Sequence, residues 1–199
     1  MASPSVGPTT FPTTISSSDP AMLAQAAAAN NYRSFIEAAA QQYGFQPAVI
    51  CGLGSRESGW GLLLKPPGPA GTGDFAPRHN TKPFRSGPMP PDGAGYGRGL
   101  MQIDFDAFPF AQTGNWQNPQ ANINFGCGVL HDNLRFVTSH TSLQGLMLLR
   151  GAIASYNCGA GNVLKAVQQS LDIDAFTAHA NYSADVLNRA GFFQLQGWS

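Results

Sequence analysis

The sequence predicts a mainly α fold, a helical domain with a small β-ribbon lining a substrate cleft, and two observations carry that expectation. Seven segments place apolar or high-propensity residues at helical spacing between recognisable caps. Against them stands one short stretch, Gly97 to Asp104, that reads as a glycine-hinged extended ribbon with a polar tip. A chain of 199 residues suits a single domain with a substantial core. It shows no internal repeat. Gly95-Tyr96-Gly97-Arg98-Gly99 lacks the Lys-Ser/Thr and the strand-to-helix context of a phosphate loop.

Met1 to Ser18 is uncharged and rich in Ser, Thr and Pro, with neither a basic leader nor a long apolar run, and reads as a flexible linker before a folded domain at 19–199. Asp19-Pro20 is a helix start, with Asp as the cap and Pro in the first turn, and Ala21 to Ala29 follows with high helix propensity. Tyr32, Phe35, Ile36 and Ala39 then recur at helical spacing up to Gly44, a C-terminal cap. Pro47 opens a third helix that ends at Glu57. From Lys65 to Gly95 the chain turns Pro- and Gly-rich and is expected to hold neither helix nor regular strand, as a lid over the cleft or a mobile insert. Beyond the ribbon, helices are expected over Pro119 to Val137, Ser142 to Tyr156, Ala160 to Gln169 and Ser183 to Leu195.

Composition excludes several classes of function. Eleven basic and eleven acidic residues leave no net field to steer the chain onto nucleic acid. Every apolar run is broken well before the roughly 20 residues a membrane span needs. Three cysteines, Cys51, Cys127 and Cys158, lie among small apolar neighbours, where a free thiol acts as a small hydrophobe. One bridge among them remains open, and no Cys-His protease signature is present. His79, His131, His140 and His179 show no metal-ligand spacing, so no metal or other cofactor is expected.

The chemistry concentrates on Glu57, one of two glutamates in the chain, at the end of the apolar run Ala48 to Leu53. A carboxyl there is easily desolvated and lies near the negative pole of its helix, and both effects favour the protonated form. That is the state a general acid needs. Its bland alternative is a helix-end glutamate paired with Arg56. Behind it come Gly99-Leu100-Met101-Gln102-Ile103-Asp104 and then Ser155-Tyr156-Asn157-Cys158-Gly159, a helix ending in a tight turn.

Acid, ribbon and Tyr-Asn turn in that order resemble the goose-type lysozymes and their relatives in glycoside hydrolase family 23, from about Phe35 to Trp198. The resemblance implies a lysozyme-like catalytic domain at 19–199, and an endo-acting, inverting hydrolase of the β-1,4 bond between N-acetylmuramic acid and N-acetylglucosamine. Glu57 would be the general acid. Asp104, which closes the ribbon, would position the water with Asp92, the nearest match to the family's second aspartate but displaced by one residue. Asp74 in the insert is its rival. Asp104 could instead cap the segment that follows it. Gln102, Tyr156, Asn157 and Tyr182 match residues near the sugar sites or the acid, while helix-end locking is the alternative for Tyr156 and Asn157. Trp60 and Trp116 could stack on sugars, though packing suits them better, and Phe108 stands where some relatives are more polar. The resemblance further implies a polysaccharide partner, peptidoglycan or chitin, a monomer, no nucleic acid or membrane partner, and secretion. A chitinase, a lytic transglycosylase and an inactive wall-binding module are the competing readings.

Overall fold

Local sequence signals set the ends of most helices in the computed structural model, which describes residues 7–78 and 88–198. Helix α1 (Pro20–Asn30) starts where the Asp19 carboxylate accepts the Met22 N–H at 2.8 Å. Helix α2 (Arg33–Tyr43) stops at Gly44, whose φ of 74° is left-handed. Helix α3 (Pro47–Ser58) is opened by Pro47 and closed by Gly59. Helix α4 (Pro119–His140) is capped by the Asn118 side chain, which accepts the Ala121 N–H at 3.0 Å. Then follow α5 (Gly145–Cys158), α6 (Ala160–Gln168) and α7 (Tyr182–Leu195). The largest boundary differences, three residues each, are at the end of α4, which runs past the expected Val137 to His140, and at α5, which begins after the expected Ser142. There the Thr141 hydroxyl accepts the Leu143 N–H at 3.3 Å and holds the link in a turn.

Three two-residue strands form an antiparallel sheet in the order β1 (Thr72–Gly73), β2 (Gly97–Arg98), β3 (Ile103–Asp104). Strand β1 corrects the expectation that 65–95 holds no strand. Thr72 pairs with Arg98 and Gly73 with Gly97. The sequence carries no alternating pattern there because each strand is only two residues long and Gly73 and Gly97 supply no side chain to alternate. A Cβ on Gly95 would fall 1.9 Å from the Gly73 carbonyl oxygen.

The core lies between α3 and α7, with α5 and α4 packed around them. Helices α3 and α7 touch backbone to backbone at Gly52, where an added Cβ would sit 2.4 Å from the Val186 carbonyl oxygen. At the N-terminus of α7, buried Asp174 accepts the N–H groups of Ser183 and Ala184 at 2.8 and 3.2 Å and pairs with Arg150 at 3.0 Å. Burial pushes its carboxyl up, but these donors outweigh it and hold the group below the usual range.

Residues 7–18, read from sequence as part of a linker, lie along α7. Phe11 is 6% exposed within the core, and its N–H donates to Gln194 Oε1 at 2.9 Å. Asn188 Oδ1 accepts from Thr13 Oγ1 and the Thr14 N–H, and Gln46 Nε2 donates to the Pro8 carbonyl. Trp60 and Trp116 are both buried, and Trp60 donates to the Cys51 carbonyl at 3.0 Å. All three cysteines are unpaired, Cys51 and Cys127 buried and Cys158 half-buried. His131 packs against Tyr43 and His140 and His179 are exposed, while His79 lies outside the described residues. Among the described residues no helix is long and apolar enough to cross a membrane.

Candidate active site

Glu57 occupies the last turn of α3, half-buried, with the first residue of α7 and the end of α5 against it. The Tyr182 hydroxyl donates to Glu57 Oε1. Arg56 does not pair with the acid: its Nη1 reaches Asp185 at 3.2 Å, and Arg189 shares the same carboxylate at 2.8 Å. The guanidinium thus lies along α7, 5.6 Å over the Tyr182 ring. Desolvation pushes the Glu57 carboxyl up to about 7, against the smaller opposing effects of the Tyr182 hydrogen bond and the Arg56 charge. The negative charge of Glu57 also helps to raise the Tyr156 phenol well above its usual range, after burial as the larger cause.

Tyr156 ties α5 to the ribbon, because its hydroxyl donates to the Met101 carbonyl at 2.8 Å. Gln102 sits at the ribbon tip with φ of 48°, and its Nε2 donates to the Gly99 carbonyl at 2.8 Å. Asn157 is exposed at the end of α5 and accepts the Ala178 N–H at 2.8 Å. The bonds of both residues thus run to distant segments rather than within their own turn, and both line a cleft. That cavity, of about 560 Å³, is walled by Arg78, Gln102, Asp104, Phe108, Tyr156 and Asn157 among others. Tyr182 is 2% exposed and meets the site through Glu57.

The ribbon delivers Asp104 to the same cleft. Its Oδ1 accepts the N–H groups of Asp106 and Ala107 at 2.8 and 2.9 Å, a local cap, while Oδ2 meets Arg78 Nη2 at 2.6 Å. The same Nη2 lies 2.6 Å from Asp74 Oδ2, and Nη1 lies 3.6 Å from Asp106 Oδ2. Asp74 and Asp104 are thus joined through one guanidinium.

Asp92 has a different setting. Both its oxygens are taken by Arg98 at 2.8 and 2.9 Å, and it does not line the cleft. Arg98 is 1% exposed, under Phe105 and Trp116, and a buried guanidinium requires such a partner. This bidentate contact holds the Asp92 carboxyl below its usual range. The structure brings Asp74, rather than Asp92, to Asp104.

Sequence reasoning missed Arg78, Asp106 and Asn133, which also line the cleft. Asp106 reaches it from the turn that follows β3, capped by Asp104. Arg78 had no signal, because nothing local in a Pro/Gly-rich insert says where its side chain will reach. Among the described residues no three His, Cys, Asp or Glu side chains are arranged to hold a metal ion.

Comparison with known proteins points to one family. The family model described as Lysozyme g matches residues 86–197. Lysozyme g of Gallus gallus is 32% identical over 170 residues, covering 85% of this chain and 66% of the relative's length. Lysozyme g of Casuarius casuarius is 30% identical over 173 residues, covering 85% of this chain and 76% of its own, and that of Epinephelus coioides is 31% identical, covering 83% and 75%. With over half the chain inside the family model, and with the ribbon and the Tyr-Asn turn meeting at one cleft, the chain belongs to the lysozyme g family of glycoside hydrolases.

Proposed function

We propose that the protein is an endo-acting, inverting hydrolase of the β-1,4 bond between N-acetylmuramic acid and N-acetylglucosamine in peptidoglycan. The observation that carries this is Glu57, a carboxyl pushed up to about 7 whose charge acts on Tyr156 in the wall of a cleft rich in hydrogen-bonding side chains. Near neutral pH such a group retains a proton to give. Glu57 passes it to the glycosidic oxygen, the C–O bond breaks, and the leaving sugar departs as an alcohol. A water bonds to the anomeric carbon from the opposite face, and its proton goes to a carboxylate. Asp104 fills that role with Asp74, a pairing that the shared Arg78 favours over Asp92. Gln102, Tyr156 and Asn157 hold the sugars through amide and phenol groups, which both donate and accept. Tyr182 positions the acid through its hydrogen bond. The substrate is a wall polymer, so the enzyme acts outside the cell, as a monomer.

The balanced charge favours a second reading, hydrolysis of chitin by the same acid, since an uncharged polymer needs no electrostatic attraction. Mass spectrometry of products from wild type and Glu57→Gln, each incubated with peptidoglycan and with a chitin hexamer, tests both. Reducing-end muropeptides from wild type alone support the muramidase, and cleavage of the hexamer alone supports the chitinase. Anhydro-muropeptides would make it a transglycosylase. Absence of product from either polymer would leave a wall-binding module.

A further inference from the structure

The insert contributes one cleft side chain to the described structure that none of the expected site residues accounts for. Arg78 is only 21% exposed, although it stands in a segment without regular structure. Its guanidinium lies 3.8 Å over the Tyr96 ring, and its backbone N–H donates to the Pro88 carbonyl at 3.3 Å. Aromatic face, ion pairs and loop closure together fix where the guanidinium points.

We propose that Arg78 is the positioning residue for the carboxylate pair that handles the attacking water, holding Asp74 and Asp104 at a fixed separation. This rests on the assignment of those two aspartates above. Because Asp74 Oδ2 and Asp104 Oδ2 contact the same Nη2, they stand no more than about 5 Å apart, where two negative charges repel strongly and would otherwise swing apart. The cation offsets the repulsion, and it leaves room to accept. Asp104 Oδ1 is filled by the Asp106 and Ala107 N–H groups, but Oδ2 receives only Arg78 and so keeps a lone pair for water. The charged groups facing the guanidinium are Asp74, Asp104 and Asp106, and the aromatic group is Tyr96. An arginine is suited to this because it stays charged and stacks on a ring while bridging two acceptors.

Four proteins, wild type, Arg78→Gln, Arg78→Lys and Asp74→Asn, together with the Arg78→Gln/Asp74→Asn double variant, test this on a soluble peptidoglycan fragment. A loosened carboxylate pair costs about 10- to 100-fold in kcat with KM within about two-fold. Arg78→Lys should restore part of that loss. On the Asp74→Asn background, where no like-charge pair remains, the Gln change should cost under about three-fold. A kcat like wild type in Arg78→Gln, or the same fold-loss on both backgrounds, overturns the proposal. Melting temperatures recorded alongside separate misfolding, which would depress both backgrounds equally, from loss of positioning. Asp104→Asn is the control on the underlying assignment: if it keeps full activity the aspartate assignment fails, whereas an inactive Asp104→Asn with an unaffected Arg78→Gln defeats only the role of the arginine.

Discussion

Replacing Tyr182 by Phe removes one oxygen and, with it, the hydrogen bond to Glu57 Oε1. That bond stabilises the ionised carboxylate, so it opposes the desolvation that sets the group at about 7. A hydrogen bond to a charged acceptor contributes about 1.5–3 kcal/mol, and one pH unit corresponds to about 1.4 kcal/mol. Loss of the phenol should therefore raise the Glu57 carboxyl by about one to two pH units. Because the acid must carry its proton to act, activity is present below this value and lost above it. The alkaline limb of the kcat/KM profile should then move from near 7 in wild type to about 8–9 in Tyr182→Phe. Initial rates on a soluble glycan, measured in parallel across pH 4 to about 10 with enzyme integrity checked at each point, give both midpoints. An unmoved midpoint, or one shifted downward, would refute the reasoning that Tyr182 tunes the acid. The ring itself remains, so packing between α3 and α7 is conserved and does not confuse the result.

Other outcomes follow from the same geometry. Glu57→Gln should abolish turnover while raising the melting temperature by a few degrees or so above pH 7. Since the folded carboxyl titrates near 7 and the unfolded one near 4.5, the folded state is penalised progressively as pH rises between the two, and the gain from Gln should vanish below about pH 4. Phe11→Ala should cost about 3–5 kcal/mol in a denaturant titration, because it empties a buried site between the N-terminal segment and α7; a loss under about 1 kcal/mol would mean that residues 7–18 are held only loosely. Gly52→Ala forces a methyl toward the Val186 carbonyl, and α3 must shift from α7. It should lower stability by about 1–3 kcal/mol and also reduce kcat, because Glu57 and Tyr182 sit on the two helices being parted. A stable variant with normal kcat would show that the contact is slack.

What was legible in the sequence is what neighbours along the chain decide. Asp19 with Pro20, and Gly44, mark helix ends through bonds that span three or four residues, so the helical domain and most of its boundaries could be read directly. The acid could be read too. A carboxylate at the end of an apolar helix is desolvated whichever element covers it, and Glu57 behaves accordingly. The ribbon from Gly97 to Asp104 was legible for the same reason, since its glycines and its polar tip are local features.

Tertiary structure alone decided the partners. Asp92 lies closer to the ribbon in sequence than Asp74, yet the first is taken by Arg98, which folding buries, while the second reaches Asp104 because β1 pairs with β2 through backbone bonds that leave no pattern in side chains. Arg56 precedes Glu57 immediately, yet α7 supplies Asp185 to draw it away and Tyr182 to donate to the acid. Phe11, in a polar stretch that reads as a tether, is buried because α7 presents Gln194 and Asn188 to satisfy the backbone and hydroxyl groups around it. The sequence by itself determined the helices and the acid, whose physics is propensity, capping and burial at short range. Which charges meet, and so which carboxylates can share a water, depended on contacts between segments tens of residues apart, which only the packed chain defines.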